Sequence, residues 1–155
     1  AMPGPLAVNT QANSANLGYN VVTKYPRADY VCLDEPEARL ARQDRWGPIE
    51  WVAANIQDRL GARALVVTRG HLGSLACDRD GSRWAVPAFS REVVDRVGAG
   101  DAYFSLTAPC VAAGMPLDVV GFLGNAAGAL AVKIVGNRTP VEPGALSAFI
   151  RALLK

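Results

Sequence analysis

The stretch Asp95-Arg96-Val97-Gly98-Ala99-Gly100-Asp101-Ala102-Tyr103-Phe104-Ser105 sets three tiny residues at the mouth of an expected helix. The first N–H groups of a helix have no partner within it and lie at the positive end of its dipole. Gly98, Ala99 and Gly100 leave those groups open to an anion, and a phosphate suits the seat. A bulkier side chain would keep it away. Asp101 then falls in the first turn, where a carboxylate can take a proton from a hydroxyl beside a phosphoryl group. Taken alone, the four residues are more often a glycine-rich turn with Asp101 acting only as a helix-capping acid.

Outward from this turn the chain alternates between two patterns. Leu6–Val8, Asp29–Leu33 and Ala64–Thr68 are short apolar runs with the character of buried strands. Ala64–Thr68 lacks the polar alternation of a half-exposed strand, as expected for one covered on both faces. Between them, Pro36–Ala41 and Pro48–Leu60 are expected helices. Ile49, Val52, Ile56 and Leu60 share one face of the second, which Gly61 should end. Asn9–Asn20 reads as a loop. Ser74–Asp78 and Ser82–Pro87 flank Arg79-Asp80-Gly81, a hairpin signal. Helices are expected over Ala102–Ala113 and Leu117–Val135, and again around Leu146, Phe149, Ile150, Leu153 and Leu154. Strands alternating with helices imply an α/β fold, with a mainly parallel sheet flanked by helices and a β-hairpin at about 74–87.

Composition narrows the chemistry. Sixteen Lys and Arg against fourteen Asp and Glu give +2 over 155 residues, without the clustered basic excess that nucleic acid or anionic membranes demand. Half the residues are apolar and 19% charged, which suits a folded domain rather than a disordered segment. One His excludes a two-histidine metal site such as HExxH. Cys32, Cys77 and Cys110 form no CxxC pair, and a reduced, cytoplasmic setting is expected. No signal peptide is visible at the start, and no uncharged run reaches the ~18 residues of a membrane span. Trp46, Trp51 and Trp84 read as packing residues, because they do not alternate with Lys or Arg as in a nucleic-acid groove.

The full string around Asp101 resembles the second signature of the PfkB/ribokinase family of sugar kinases, Asp-Thr-x-Gly-Ala-Gly-Asp, with Arg96 where the family usually has Thr. The resemblance implies that Asp101 is the catalytic base and that Gly98, Ala99 and Gly100 form the anion hole for the γ-phosphate. Thr68-Arg69-Gly70-His71-Leu72-Gly73 is similar to the family's Thr-x-Gly-x-x-Gly loop, so Thr68, Gly70 and Gly73 are expected along the nucleotide; His71 reads as a solvated loop residue. Asn125–Val132 is similar to the small-residue helix near adenine, with Asn125 the expected contact. Asp34-Glu35-Pro36-Glu37 falls where the family has Asn-x-x-Glu. Glu37 matches a position linked to Mg²⁺, whereas Asp34, a carboxylate near a triphosphate, could equally be a helix start. Asp95, Val97, Ala131 and Gly136 match positions that hold a monovalent cation in some members. Asn9 and Gln11 stand near the place where related heptose kinases carry an acidic and a basic residue after the strand; their uncharged amides could hydrogen-bond a sugar or the phosphates, or build the turn.

The likeness runs from about Leu6 onward and implies the C-terminal, ATP-binding half of the ribokinase-like fold, without the N-terminal sugar-binding half and lid. Kinase domains of ADP-heptose-synthase type are the nearest in appearance. The implied activity is ATP-dependent phosphorylation of a sugar or sugar-phosphate hydroxyl with Mg²⁺ and a possible monovalent cation. This stretch by itself is expected to be inactive or nearly so. The expected partners are the small-molecule sugar and the other half of the same protein, with a homodimer possible and neither nucleic acid nor membrane involved. A nucleotide-binding regulatory module without phosphotransfer remains an alternative. A dinucleotide-dependent oxidoreductase is disfavoured because no GxGxxG follows a strand.

Overall fold

Period-two alternation sorts the strand residues onto two faces of one sheet. Val31 and Leu33, Leu65 and Val67, Leu75 and Cys77 enter one buried cluster. Tyr30 and Cys32, Ala64 and Val66, and Ala76 enter another. Both faces are covered, which is why these strands are apolar throughout. The computed structural model describes residues 4–90, 94–95, 97–135 and 138–155. Its five strands are β1 (Ala7–Asn9), β2 (Tyr30–Asp34), β3 (Ala64–Thr68), β4 (Ser74–Asp78) and β5 (Arg83–Val86), in the spatial order β1-β2-β3-β4-β5. β1, β2 and β3 are mutually parallel; β4 pairs antiparallel with both β3 and β5. Four of the five strands therefore point the same way, and the expected hairpin supplies the exception.

Helices α1 (Glu35–Arg42) and α2 (Ile49–Leu60) cover the first face through Ala38, Ile49, Val52, Ala53, Ile56 and Leu60. Gly61 ends α2 in the left-handed region at φ 62°, as its position suggested. The second face is covered by α3 (Ala99–Ala112) and α4 (Leu117–Ala131) through Tyr103, Val111, Leu117 and Val120. α5 (Pro143–Leu153) packs on α4. Several boundaries shift by one residue, and two differ by more. α3 begins three residues early, because Ala99 and Gly100 are already helical. α4 stops at Ala131 instead of Val135: the carbonyl of Val132 turns to accept the N–H groups of Val94 and Asp95, at 2.9 and 3.0 Å. Arg96 and Gly136 lie outside the described residues. A 3-10 turn at Val22–Lys24 was not foreseen; its fully buried Val22 pins the end of the 9–20 loop to the core. Among the described residues no helix is long and apolar enough to cross a membrane.

Strand register aligns one row of residues across the sheet. Asp34 pairs with Thr68, Thr68 with Ser74, and Ser74 with Val86. The row lies at the carboxyl ends of β2, β3 and β5, the edge at which open α/β sheets bind their ligands. The turn from β3 to β4 is fixed by Arg69 N–H donating to Gly73 O at 2.8 Å. Gly73 takes φ 88° and ψ −131°, and a Cβ there would sit 2.0 Å from the carbonyl oxygen of Val86. Only glycine allows the chain leaving β5 to pass so near.

Glu35 ties α1 to this edge. One carboxylate oxygen accepts Arg39 Nε and Nη2 at 2.9 and 2.7 Å, and the other accepts Arg69 Nε at 2.8 Å. Partial burial works to raise its pKa, but the two guanidinium groups overcome that and hold it below the usual glutamate value of 4.5.

Two outcomes follow from these contacts. Gly73→Ala meets both a forbidden backbone region and a backbone clash, so it should cost more than about 3 kcal/mol in denaturant unfolding. Gly114→Ala, at φ 78° in open space, should cost only about 1 kcal/mol. For Glu35, a depressed carboxyl contributes stability that is present above the unfolded-state pKa and lost as pH falls through the folded-state value. Glu35→Gln should therefore be less stable than the parent by about 1–2 kcal/mol near neutral pH, and the gap should close as pH falls below about 4.5. Thermal unfolding of both proteins at a series of pH values between about 6 and 3 measures it.

Candidate functional site

A groove of about 1170 Å³ runs along the row just described. It is bordered by Asp34 and Pro36 at the start of α1, by Thr68–Gly73, by Ala88–Ser90 after β5, by Ala99 and Gly100 of α3, and by Asn125 and Gly128 of α4. Of the sequence-derived candidates, it brings together Asp34, Thr68, Gly70, Gly73, Ala99, Gly100 and Asn125. Its capacity suits a ligand of nucleotide size.

Of the turn at 98–101, Ala99 and Gly100 border this groove, whereas Gly98 and Asp101 are not among its lining residues, nor is Glu37. Gly98 is the N-cap of α3 in the left-handed region, φ 83°, and no side chain caps the helix. A Cβ on Gly100 would meet nothing within 4 Å. The helix mouth therefore faces free space with its backbone donors, an arrangement that fits a phosphate. Asp101 is exposed in the first turn, and its backbone carbonyl accepts the Ser105 hydroxyl at 2.7 Å. Two residues on, Tyr103 anchors the helix: its hydroxyl donates to Ser74 Oγ at 3.1 Å. One turn further, the Thr107 hydroxyl meets the Tyr30 hydroxyl at 2.8 Å and donates to the Tyr103 carbonyl, also at 2.8 Å. Burial raises the pKa values of Tyr30 and Tyr103 and pushes Cys32 up to about 12, so all three are neutral under the helix.

The small residues of α4 have packing reasons. A Cβ on Gly124 would fall 2.3 Å from the Tyr103 ring, and one on Gly121 would fall 2.9 Å from Val86 Cγ2. Asn125 is buried, and its side-chain N–H₂ donates to the carbonyls of Val86 and Pro87, both at 2.9 Å. Both donors thus hold the segment after β5, and the amide oxygen is the atom left to serve a ligand.

Asp34 and Glu37 form a capping box on α1. Asp34 Oδ1 accepts the Glu37 N–H at 2.7 Å and Glu37 Oε2 accepts the Asp34 N–H at 3.0 Å. Glu37 Oε1 also accepts the Ala12 N–H at 2.9 Å, which draws the 9–20 loop to the site. Burial raises both carboxyls, partly offset by these N–H bonds, and Glu37 also feels the charges of Asp34 and Asp101. The like charges felt by Glu37 favour a cation near it. Among the described residues, no group of three or more His, Cys, Asp or Glu could hold a metal by itself. With both oxygens of Glu37 engaged by backbone, the donor set fits a Mg²⁺ that keeps waters and takes phosphate oxygens. Elsewhere, Asp95 Oδ1 accepts the Val97 N–H at 3.0 Å, and the 94–95 segment is bound to Val132 beside Ala131. Gly136, the fourth candidate for a monovalent cation, lies outside the described residues.

Arg39, Arg69 and Trp46 are among the groove residues that sequence reasoning did not place there. Arg39 and Arg69 line it and share Glu35; the basic residue inside Thr68–Gly73 was the available signal. Trp46 also lines it and is 85% exposed, which corrects its reading as a packing residue. The Asp44-Arg45-Trp46-Gly47 turn lifts it out of the core, and that turn signal could have been read. Trp84 does pack on the second core cluster.

The chain was compared with proteins of known sequence and structure. The bifunctional protein HldE of Edwardsiella ictaluri is 36% identical over 89 residues, which are 56% of this chain and 19% of that protein. Escherichia coli phosphofructokinase-2 in complex with potassium superimposes with a TM-score of 0.74 at 20% identity, over 86% of this chain and 43% of that one. Arabidopsis thaliana ribokinase complexed with ribose and ATP does so at 0.70 and 19%, over 80% and 41%. The chain thus spans about a fifth of the HldE protein and about two fifths of the kinases of known structure. The two superpositions show a ribokinase-like fold, and the HldE match agrees with the expected likeness to kinase domains of ADP-heptose-synthase type. The family model for pfkB family carbohydrate kinases matches residues 18–143, most of the chain, and the chain belongs to that family.

Proposed function

We propose that this chain carries the ATP-binding, base-bearing half of a kinase that phosphorylates a hydroxyl of a sugar or sugar phosphate. The observation that carries the reading is the continuity of the groove, which joins the open mouth of α3 to the Thr68–Gly73 loop and the α4 wall. In this reading the backbone N–H groups at Gly98, Ala99 and Gly100 bind the γ-phosphoryl of ATP and stabilise the charge that develops as it transfers. Asp101, exposed beside them, accepts the proton of the attacking hydroxyl. Thr68, Gly70 and Gly73 border the ribose and remaining phosphates, and the Asn125 amide oxygen is available to the base. Asp34 and Glu37 are the residues that would hold Mg²⁺, and the ion, when bound, would neutralise phosphate charge. Asp95 and Val97 offer oxygens to a monovalent cation; the potassium complex of phosphofructokinase-2 supports that reading by analogy. The ribokinase complexed with ribose and ATP supports the choice of ligands in the same way.

The sugar site is assigned to the remainder of the intact protein, so phosphotransfer requires both parts. Three free cysteines, two of them buried, favour a reducing, cytoplasmic setting.

Asp101→Asn in the intact polypeptide should lower the turnover of sugar phosphorylation about 10²- to 10⁴-fold while leaving the affinity for a non-hydrolysable ATP analogue nearly unchanged. Steady-state kinetics and calorimetric titration measure the two. Full turnover in the variant removes the assigned base. ATP binding without transfer to any sugar by the unaltered protein would favour a regulatory nucleotide-binding module instead.

A further inference from the structure

Two guanidinium groups line the groove beside Glu35, and their donors are used differently. Every nitrogen of the Arg39 guanidinium has a partner: Nε and Nη2 donate to Glu35 Oε1 at 2.9 and 2.7 Å, and Nη1 donates to the Gly47 carbonyl at 2.9 Å. Arg69 commits Nε alone, to Glu35 Oε2 at 2.8 Å. Its two Nη nitrogens have no partner among the described residues, although the side chain is only 27% exposed.

An arginine on a loop ordinarily samples many rotamers, but this one is held at both ends. The Arg69 N–H donates to the Gly73 carbonyl at 2.8 Å, and the Arg69 carbonyl accepts the Leu72 N–H at 3.1 Å, so the turn itself fixes the backbone. At the far end Nε meets a carboxylate whose other oxygen is gripped by Arg39. With Nε committed to Glu35, the fork of Nη1 and Nη2 is the part of the guanidinium left for a ligand. Two parallel N–H groups of that kind match two oxygens of a phosphate. Much of the cost of ordering the side chain is met before a ligand arrives.

The neighbours of Arg69 indicate which part of a nucleotide would lie there. Arg69 stands between Thr68 and Gly70, and all three line the groove. They belong to the loop assigned above to the ribose and to the phosphates other than the γ-phosphoryl. A Cβ on Gly70 would meet nothing within 4 Å, so the backbone next to Arg69 is open to approach. The seat assigned to the γ-phosphoryl belongs to a different element, since Ala99 and Gly100 border the groove from α3.

We propose that Arg69 is a phosphate-contacting residue, whose Nη fork binds the non-transferring phosphates of the nucleotide. This rests on the nucleotide reading of the groove given above. Such a contact is the same before and during transfer, so it sets affinity rather than the rate of the chemical step.

The experiment titrates the intact polypeptide and its Arg69→Gln, Glu35→Gln and doubly substituted variants with ADP and with a non-hydrolysable ATP analogue, each with Mg²⁺. Arg69→Gln should weaken both ligands about tenfold, because both carry the phosphates it is assigned to. The same loss should appear when Glu35→Gln is already in place, whereas a role confined to the ion pair would vanish there. Because backbone bonds close the turn, Arg69→Gln should unfold within a few degrees of the parent. Unchanged affinity for both ligands in Arg69→Gln overturns the inference and leaves the nucleotide site standing. So does a loss confined to the ATP analogue, which would put Arg69 on the transferring phosphoryl. A loss that disappears in the Glu35→Gln background also overturns it, since Arg69 would then act only through the ion pair. If the unaltered protein binds neither ligand, the nucleotide reading itself fails and the inference with it.

Discussion

Backbone pairing puts Asp34, Thr68, Ser74 and Val86 side by side across the sheet, and each part of the groove hangs from one member of that row. Asp34 begins α1 and its capping box. Thr68 opens the loop that turns back at Gly73. Ser74 receives the Tyr103 hydroxyl and so fixes α3 with its open mouth. Val86 receives the Asn125 amide and so fixes α4 against the chain leaving β5. A slip of one residue in any of these pairings would turn the side chains to the opposite face and take the anchors apart. The chemistry assigned to this edge thus rests on register rather than on any one charged group.

Tyr103 shows how tightly the row controls the helices. Its ring occupies the space that a side chain at 124 would need, so α3 and α4 approach as closely as the glycine allows. The hydroxyls of Tyr30, Tyr103, Ser74 and Thr107 pair within an otherwise apolar layer, and a buried polar group with a partner escapes the cost of one without. These bonds give the α3 mouth a rigid seat, while Asp101 on the outer side of the same helix stays exposed. Charge is arranged with similar economy. Arg39 and Arg69 are drawn to Glu35, while Asp34 at the groove edge and Glu37 behind it close the capping box of α1. The chain belongs to the pfkB carbohydrate kinase family, and the layout is consistent with the proposed use of this edge for phosphate and a cation.

Much of the fold was legible because its signals are local. The apolar runs at 64–68 and 30–33 mark strands covered on both sides, the three-and-four spacing of Ile49, Val52, Ile56 and Leu60 marks α2, and Gly61 and the Asp80-Gly81 turn act where they stand. The glycine turn at the start of α3 was legible for the same reason, since its pieces are consecutive. Trp46 was misread because exposure is not a property of residue type: an indole packs or protrudes according to the turn beneath it, here Asp44 to Gly47. Asn125 was visible as a polar residue on a small-residue helix, but nothing nearby in sequence told that its amide protons go to Val86 and Pro87, 39 and 38 residues away.

By itself, then, the order of residues determined an α/β chain with parallel strands, a hairpin near its middle, and a glycine-lined helix mouth next to an acid. Those features depend on neighbours within a turn or two of chain. Tertiary structure alone decided that Asp34 meets Thr68, that Glu35 gathers Arg39 and Arg69, that Gly73 must clear the Val86 carbonyl, and that Trp46 borders the same groove as Gly100. Such pairings come from strand register and helix packing, which are settled by the whole core at once and leave no trace in any single stretch of sequence.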